Sequence, residues 1–334
     1  MRLFATGLLA VLTFLLVNAQ EKKPTLWQRI TGSKAVTHID SLLAARYFHD
    51  SNIDTAYITR PKTKWTIAGR FNLSGAKLKV KGIENQHHFT SELTAARKST
   101  VSLSVSYLGL TLSAALNPAK LMGKYSDYEL NFKSYGKSFG FDVVYQKAKN
   151  FTGWHETEGG ERRQMPADLL TLKTLNVNAY YCFSRRRFSY PAAFSQNYIQ
   201  RRSAGSFLLA ASGQGQYGTV SGEKGMDFKM TNIGIGGGYG YNYVPGRGWM
   251  LHISALPTFI VYSNTSMSIG ETRVPLHYHF PEFIITGRSA VVRQMRRTFF
   301  GLSAVFNFTN IGDRESLAVY NIKWQVHTYF GVRL

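Results

Sequence analysis

The stretch Ser99–Ala119 carries no charged residue, yet its pattern excludes the membrane helix that such a run first brings to mind. Val101, Leu103, Val105 and Tyr107 alternate with Ser102, Ser104 and Ser106. Beyond Leu108-Gly109, Leu110, Leu112, Ala114 and Leu116 alternate with Thr111, Ser113, Ala115 and Asn117. On a helix, at about 3.6 residues per turn, the serines would spread around every face; on strands, with a period of two, they share one side. The segment reads as a hairpin with one apolar and one polar face.

The same alternation returns along the chain. Trp65, Ile67, Gly69, Phe71 and Leu73 face away from Thr66, Ala68, Arg70, Asn72 and Ser74. Tyr128, Leu130 and Phe132 oppose Glu129, Asn131 and Lys133, and Phe139, Phe141, Val143 and Tyr145 oppose Gly140, Asp142, Val144 and Gln146. Ile233, Ile235, Gly237, Tyr239, Tyr241 and Tyr243 oppose Asn232, Gly234, Gly236, Gly238, Gly240 and Asn242; Phe300, Leu302, Phe306 and Phe308 oppose Gly301, Ser303, Asn307 and Thr309.

A soluble sandwich and an outer-membrane barrel both produce such a pattern, the first with its apolar face packed inward and the second with that face toward lipid. Run length favours the barrel, because several runs reach the roughly nine or more residues a tilted strand needs to cross a membrane. Aromatic placement favours it too: Trp65, Tyr107, Tyr145, Tyr241, Tyr243, Trp249, Phe299 and Trp324 fall at strand ends, where interfacial girdles sit. The expected fold is an all-β, antiparallel up-and-down transmembrane barrel of about twelve strands, with short turns at one end and longer loops at the other. Short connections are expected near Leu108, 134–137, 245–248 and 296–297, and long polar loops at 76–98, 118–125, 148–171, 215–228, 264–282 and 311–316. The final residues alternate Trp324, Val326, Thr328, Phe330, Val332 and Leu334 with Lys323, Gln325, His327, Tyr329, Gly331 and Arg333, like the closing strand of such barrels. Segment 184–201, with Arg185, Arg186 and Arg187, fits least well: a long periplasmic connection, a strand extension or an inward-folded plug all remain open.

The beginning of the chain sets the compartment. Arg2, the apolar run Leu3–Val17 and the small-residue pattern Val17-Asn18-Ala19 have the layout of a secretory signal peptide, and the run is shorter than the roughly 20 residues of a spanning helix. The expected organisation is a signal peptide at 1–19, a periplasmic arm at 20–62 with a helical stretch around His38–Tyr47, and the barrel at 63–334. Cys182 stands alone, so no disulfide framework supports the fold. A formal charge of +21 would suit nucleic acid. Export removes that partner, leaving anionic outer-membrane lipid, lipopolysaccharide phosphates or acidic solutes, with a scattered solvated charge as the plain alternative. An exported barrel also implies the barrel-assembly machinery as a partner.

The chain resembles a family of Bacteroidota outer-membrane proteins known as domain of unknown function 4421. The resemblance is carried by Asp54–Tyr57 with Lys64-Trp65-Thr66; by Phe188-Ser189-Tyr190-Pro191-Ala192-Ala193-Phe194; by Ser203-Ala204-Gly205-Ser206-Phe207; and by Gly301-Leu302-Ser303-Ala304 with Asn310-Ile311-Gly312-Asp313. It covers about residues 50–334 and implies an outer-membrane barrel without an assigned activity, so it supplies no catalytic residues.

No catalytic site, metal site or cofactor is legible. His277-Tyr278-His279 has ligand spacing but no third ligand, and His87-His88 is weaker. His252, Ser254 and His327 lie on expected strands without a nucleophile motif, so they read as polar lumen filler. The glycine-rich stretches Gly213–Gly218 and Gly234–Gly240 lack the context of a phosphate loop. The site-like feature is basic: Arg70, Lys133, Arg288, Lys323 and Arg333, with the 185–187 run, on inward positions. A ring of Arg and Lys favours anions in a pore; the alternative is that they pair with Glu129, Asp142 and others to stiffen a filled interior. The leading expectation is a non-enzymatic barrel that passes or binds small or anionic solutes, or is structural. A lipid- or lipopolysaccharide-modifying barrel enzyme and a soluble periplasmic β-protein are the alternatives.

Overall fold

The computed structural model describes residues 38, 41, 42, 44, 45, 47 and 48, then 52–334 apart from 85–86, 109, 117–127, 150, 167–168, 222–225, 270–271, 276–280 and 314–316. It divides into two units, Met1–Asp50 and Ser51–Leu334. In the first, the described residues are helical, where the arm was expected to be. The expected signal peptide lies outside the described residues.

The second unit is β-structure. A short strand β1 (Ile58–Thr59) precedes β2 (Trp65–Glu84), β3 (His87–Ala95), β4 (Lys98–Tyr107), β5 (Leu110–Leu116), β6 (Tyr128–Tyr135), β7 (Phe139–Ala148), β8 (Phe151–Thr157), β9 (Arg163–Met165) and β10 (Leu170–Cys182). After β11 (Ile199–Gln200) come β12 (Ala204–Val220), β13 (Met226–Gly246), β14 (Trp249–Ile269), β15 (Thr272–Pro275), β16 (Phe283–Gln294), β17 (Thr298–Asp313) and β18 (Leu317–Arg333). Neighbours pair antiparallel, and the last strand bonds to β2, from Leu317 opposite Gly82 to Arg333 opposite Thr66. That pairing leaves no seam at the chain ends, and the sheet returns on itself where β8, following β7, pairs with β3, as a membrane barrel requires.

The strands are longer than the sequence reading expects, and two are interrupted. β3 runs on into β4 and β7 into β8, so β2 pairs with β3 in one half of the barrel and with β4 in the other. β3 then pairs with β8, while β4 pairs with β5 and β7 with β6. The hairpin strands β5 and β6 thus widen only the half that carries the tight turns. One of those turns, Arg247-Gly248 between β13 and β14, has φ of 51° and 77° at its two loop residues. Positive φ at both positions is what a type I′ hairpin needs, and its twist matches the strands.

Face polarity explains the length. In the turn half, Leu103, Ile235, Phe207 and Ile253 point out and are exposed, Phe207 by 71% and Ile253 by 68%, while Ser104, Thr174, Asn176 and Gln214 point in and are buried. A sandwich would bury those apolar side chains; on the outside of a closed sheet they form a lipid-facing wall. Toward the loop end the phase reverses. Lys77, Lys79 and Lys81 alternate with Ala76, Leu78 and Val80, and the small apolar members pack inward with Leu93, Ala95, Phe151, Leu170 and Leu172. Residues 76–98, 148–171, 215–228 and 264–282, expected as long polar loops, are therefore largely strand. The strands leave the apolar belt, so their outside becomes polar and their inside becomes core.

The girdle is mostly where it was expected. Trp65 and Tyr107 meet at 4.5 Å with their rings tilted by 46°, and Trp249 meets Phe300 edge-on at 5.9 Å. Phe299 is a correction: it faces inward, fully buried beside Tyr329, with the Arg333 guanidinium 4.7 Å from its ring.

Candidate functional site in the barrel lumen

Between β10 and β12 the chain does not cross directly. Residues 183–203 fold into the turn end of the lumen as a plug, which resolves the open reading of 184–201. Phe188, Tyr190 and the one-turn helix Pro191–Phe194 are buried, with proline at a position where its fixed φ suits the first turn. Tyr190 lies 4.4 Å from Tyr180 and 5.1 Å from Phe194 between ring centroids, and His252 stands edge-on to it at 5.2 Å. Each such ring contributes on the order of 2 kcal/mol on leaving water. The chain ahead of the barrel clamps the plug from outside. β1 pairs with β11, Asp54 N–H donates to Arg186 O at 2.8 Å, and the Arg187 guanidinium meets Asp54 at 3.3 Å. Arg185, Arg186 and Arg187 are exposed at this end and do not line the lumen.

A directional hydrogen-bond chain ties plug to wall. Asn242 Nδ2 donates to Ser189 O at 2.9 Å and to Gln200 Oε1 at 3.0 Å. Its Oδ1 is thereby turned toward His252 Nδ1, 2.6 Å away, so that nitrogen carries the proton and Nε2 is the acceptor. Ser254 Oγ donates to Nε2 at 3.0 Å and accepts from the Tyr190 hydroxyl at 3.2 Å. Tyr190 accepts from Arg288 Nη1 at 2.9 Å, and Arg288 Nη2 pairs with Asp142. Asp142 Oδ1 also accepts from Asn178 Nδ2 at 3.0 Å. Asn242, His252 and Ser254 have the order of a hydrolytic triad. All three are buried, and the Tyr190 hydroxyl takes a further hydrogen-bond position on Ser254 Oγ. Here the arrangement anchors the plug.

Farther toward the loop end is a polar cavity lined by Lys133, Asp142, Asn176, Asn178, Arg288, Lys323 and Gln325 among others. Three of the five basic candidates, Lys133, Arg288 and Lys323, meet here. Lys133 Nζ donates to Gln325 Oε1 at 3.2 Å. Asp142 is the acid among the described lining residues, so the cavity is net positive. The other two are elsewhere. Arg70 stands 6.0 Å from the Tyr329 ring, and Arg333 is a plug anchor, donating to Gln294 Oε1 at 2.7 Å and to Gln196 O at 3.4 Å.

Sequence reasoning missed Asn242, Gln196 and Gln200 as plug contacts; the largely apolar run Phe188–Phe194 within the stretch left open was the available signal. It also missed a cross-strand pair toward the loop end, Ser91 Oγ to His155 Nδ1 at 2.8 Å. Among the described residues no group of three His, Cys, Asp or Glu is placed to hold a metal. His277 and His279 lie outside the described residues, and His87 and His88 are exposed.

Compared with solved structures, the chain is similar to the outer membrane protease OmpT of Escherichia coli, at 6% identity and a TM-score of 0.46 over 80% of this chain and 97% of that one. It is similar also to the translocator domain of the autotransporter NalP of Neisseria meningitidis (7%, 0.33, covering 89% and 97%) and to OprG of Pseudomonas aeruginosa (9%, 0.25, covering 82% and 97%). Likeness at this level carries nothing about activity. No curated protein sequence matches the chain. A family model does match, over residues 52–334, and on that ground the chain belongs to the family described as Domain of unknown function (DUF4421).

Proposed function

We propose that this protein is a non-enzymatic outer-membrane barrel, its tight turns on the periplasmic side, that does not conduct at rest and binds a small anionic solute in its mid-lumen cavity. The observation that carries the reading is the meeting of Lys133, Arg288 and Lys323 around one cavity with Asp142 as its described acid. Arg288 is held by Asp142 and Tyr190, while the two lysine ammonium groups sit on long flexible stems that can turn toward an anion. Titrating the detergent-solubilised protein with inorganic phosphate tests it by calorimetry. Saturable binding that falls about tenfold in Lys323→Gln, or about 1.4 kcal/mol, is expected; binding unchanged by the substitution refutes the site.

The enzyme reading has one observation in its favour, the Asn242–His252–Ser254 order. A fluorophosphonate probe on the folded protein separates the two. No labelling of Ser254 is expected, whereas stoichiometric labelling that Ser254→Ala abolishes makes the barrel a serine hydrolase.

A further inference from the structure

Charge that neither plug nor lumen uses lies on the outside of the barrel. Lys147 on β7 is in register with Lys173 on β10, Lys173 with Tyr217 on β12, and Tyr217 with Lys229 on β13. Strand alternation turns all four outward, away from the buried inward neighbours Ala148, Leu172, Gln216 and Met230. Side chains directly opposed on antiparallel strands have Cβ atoms about 5 Å apart, and like charges so placed destabilise a sheet. Among the described residues no carboxylate forms an ion pair with any of these three lysines, whereas Lys77 on β2 has Glu92 at 2.7 Å. Lys173 Nζ instead sits 5.5 Å from the Tyr217 ring centroid. The row is built as if its counter-charge came from outside the chain.

What lies beneath it says what kind of molecule brings that charge. One step toward the turn end the outward row is Tyr145, Leu175, Gly215 and Thr231; the next is Val143, Val177, Gly213 and Ile233. Leu175, Val177 and Ile233 are exposed and belong to the lipid-facing wall, so the lysines stand where that wall ends. On β12, a Cβ added at Gly213 or Gly215 would meet nothing closer than 3.8 Å. These glycines therefore leave a shallow channel in the wall, running up to Tyr217 and the lysines.

We propose that this face binds one phosphate-bearing lipid of the outer leaflet, its phosphate held by Lys147, Lys173 and Lys229 and an acyl chain lying along Gly213 and Gly215. Phosphate on lysine ammonium groups at a membrane surface is a favourable, salt-sensitive contact. The proposal rests on the outer-membrane reading given above.

The full-length protein would be reconstituted in phosphatidylcholine vesicles alone, with a phosphorylated lipid A, or with the same lipid A dephosphorylated, and its heat-modifiable migration followed with temperature. Phosphorylated lipid A should raise the midpoint by several degrees. The rise should disappear in the triple variant Lys147→Gln, Lys173→Gln, Lys229→Gln and shrink in Gly215→Leu, while midpoints in phosphatidylcholine alone stay level. An equal rise with dephosphorylated lipid, or in the triple variant, overturns the phosphate site. Inorganic phosphate giving the same lysine-dependent rise would make the ligand a free anion and overturn the lipid. If the protein folds in phosphatidylcholine and none of the lipids shifts it, this inference alone fails; if it never inserts, the outer-membrane reading fails with it.

Discussion

The Tyr190 hydroxyl, on the plug, lies 3.2 Å from Ser254 Oγ, on the wall, and accepts a 2.9 Å bond from Arg288. One phenol thereby joins the segment that closes the lumen to the ion pair that crosses it. Tyr190→Phe keeps the ring and removes the link, leaving Arg288 and Ser254 each short of a partner in a buried place. The expected loss is about 1–3 kcal/mol, read as a lower midpoint of heat-modifiable migration. A variant as stable as the parent would mean that the hydroxyl is not a tie.

The Asp142–Arg288 pair is buried on both sides. Removing one member strands the other charge, so Asp142→Ala or Arg288→Met alone should cost about 3–5 kcal/mol. The double variant, which removes both charges, should cost clearly less than the sum of the two. Additive losses in urea titrations of the four proteins would show that the pair is not coupled.

The change of phase along the strands gives a depth test. Ile235 is exposed on the apolar wall, and Ile235→Arg should cost about 2–4 kcal/mol near the membrane midplane. Thr219 faces outward past the wall, opposite Asp227, and Thr219→Arg should cost no more than about 1 kcal/mol. Equal penalties in reversible unfolding from vesicles would remove the membrane boundary from where the phase change puts it.

That phase change is also where sequence reading lost the strands. Wherever outward residues are apolar, as at Val101–Tyr107 or Phe300–Phe308, alternation announced strand and facing together. Beyond the belt, Lys77-Leu78-Lys79-Val80-Lys81 still alternates, but its charges resemble a loop when strands are sought by their greasy outer face. The plug stayed one of three open readings for a different reason. Phe188–Phe194 has no period, and only the wall residues around it, Tyr180, His252 and Tyr329, give it a place to be buried. Of the basic candidates, inward position followed from strand parity. That Lys133, Arg288 and Lys323 converge while Arg70 and Arg333 do not follows from barrel curvature and the plug, which one strand's sequence does not encode.

The central claim is that residues 183–203 close the turn end of a barrel that would otherwise be open, and single-channel recording in planar bilayers tests it most directly. Full-length protein should leave the bilayer silent, and a variant with 184–202 replaced by a short Gly/Ser turn, shown to fold by heat-modifiable migration, should give discrete steps that favour anions. Steps of the same size from both proteins, or silence from both, would contradict the account.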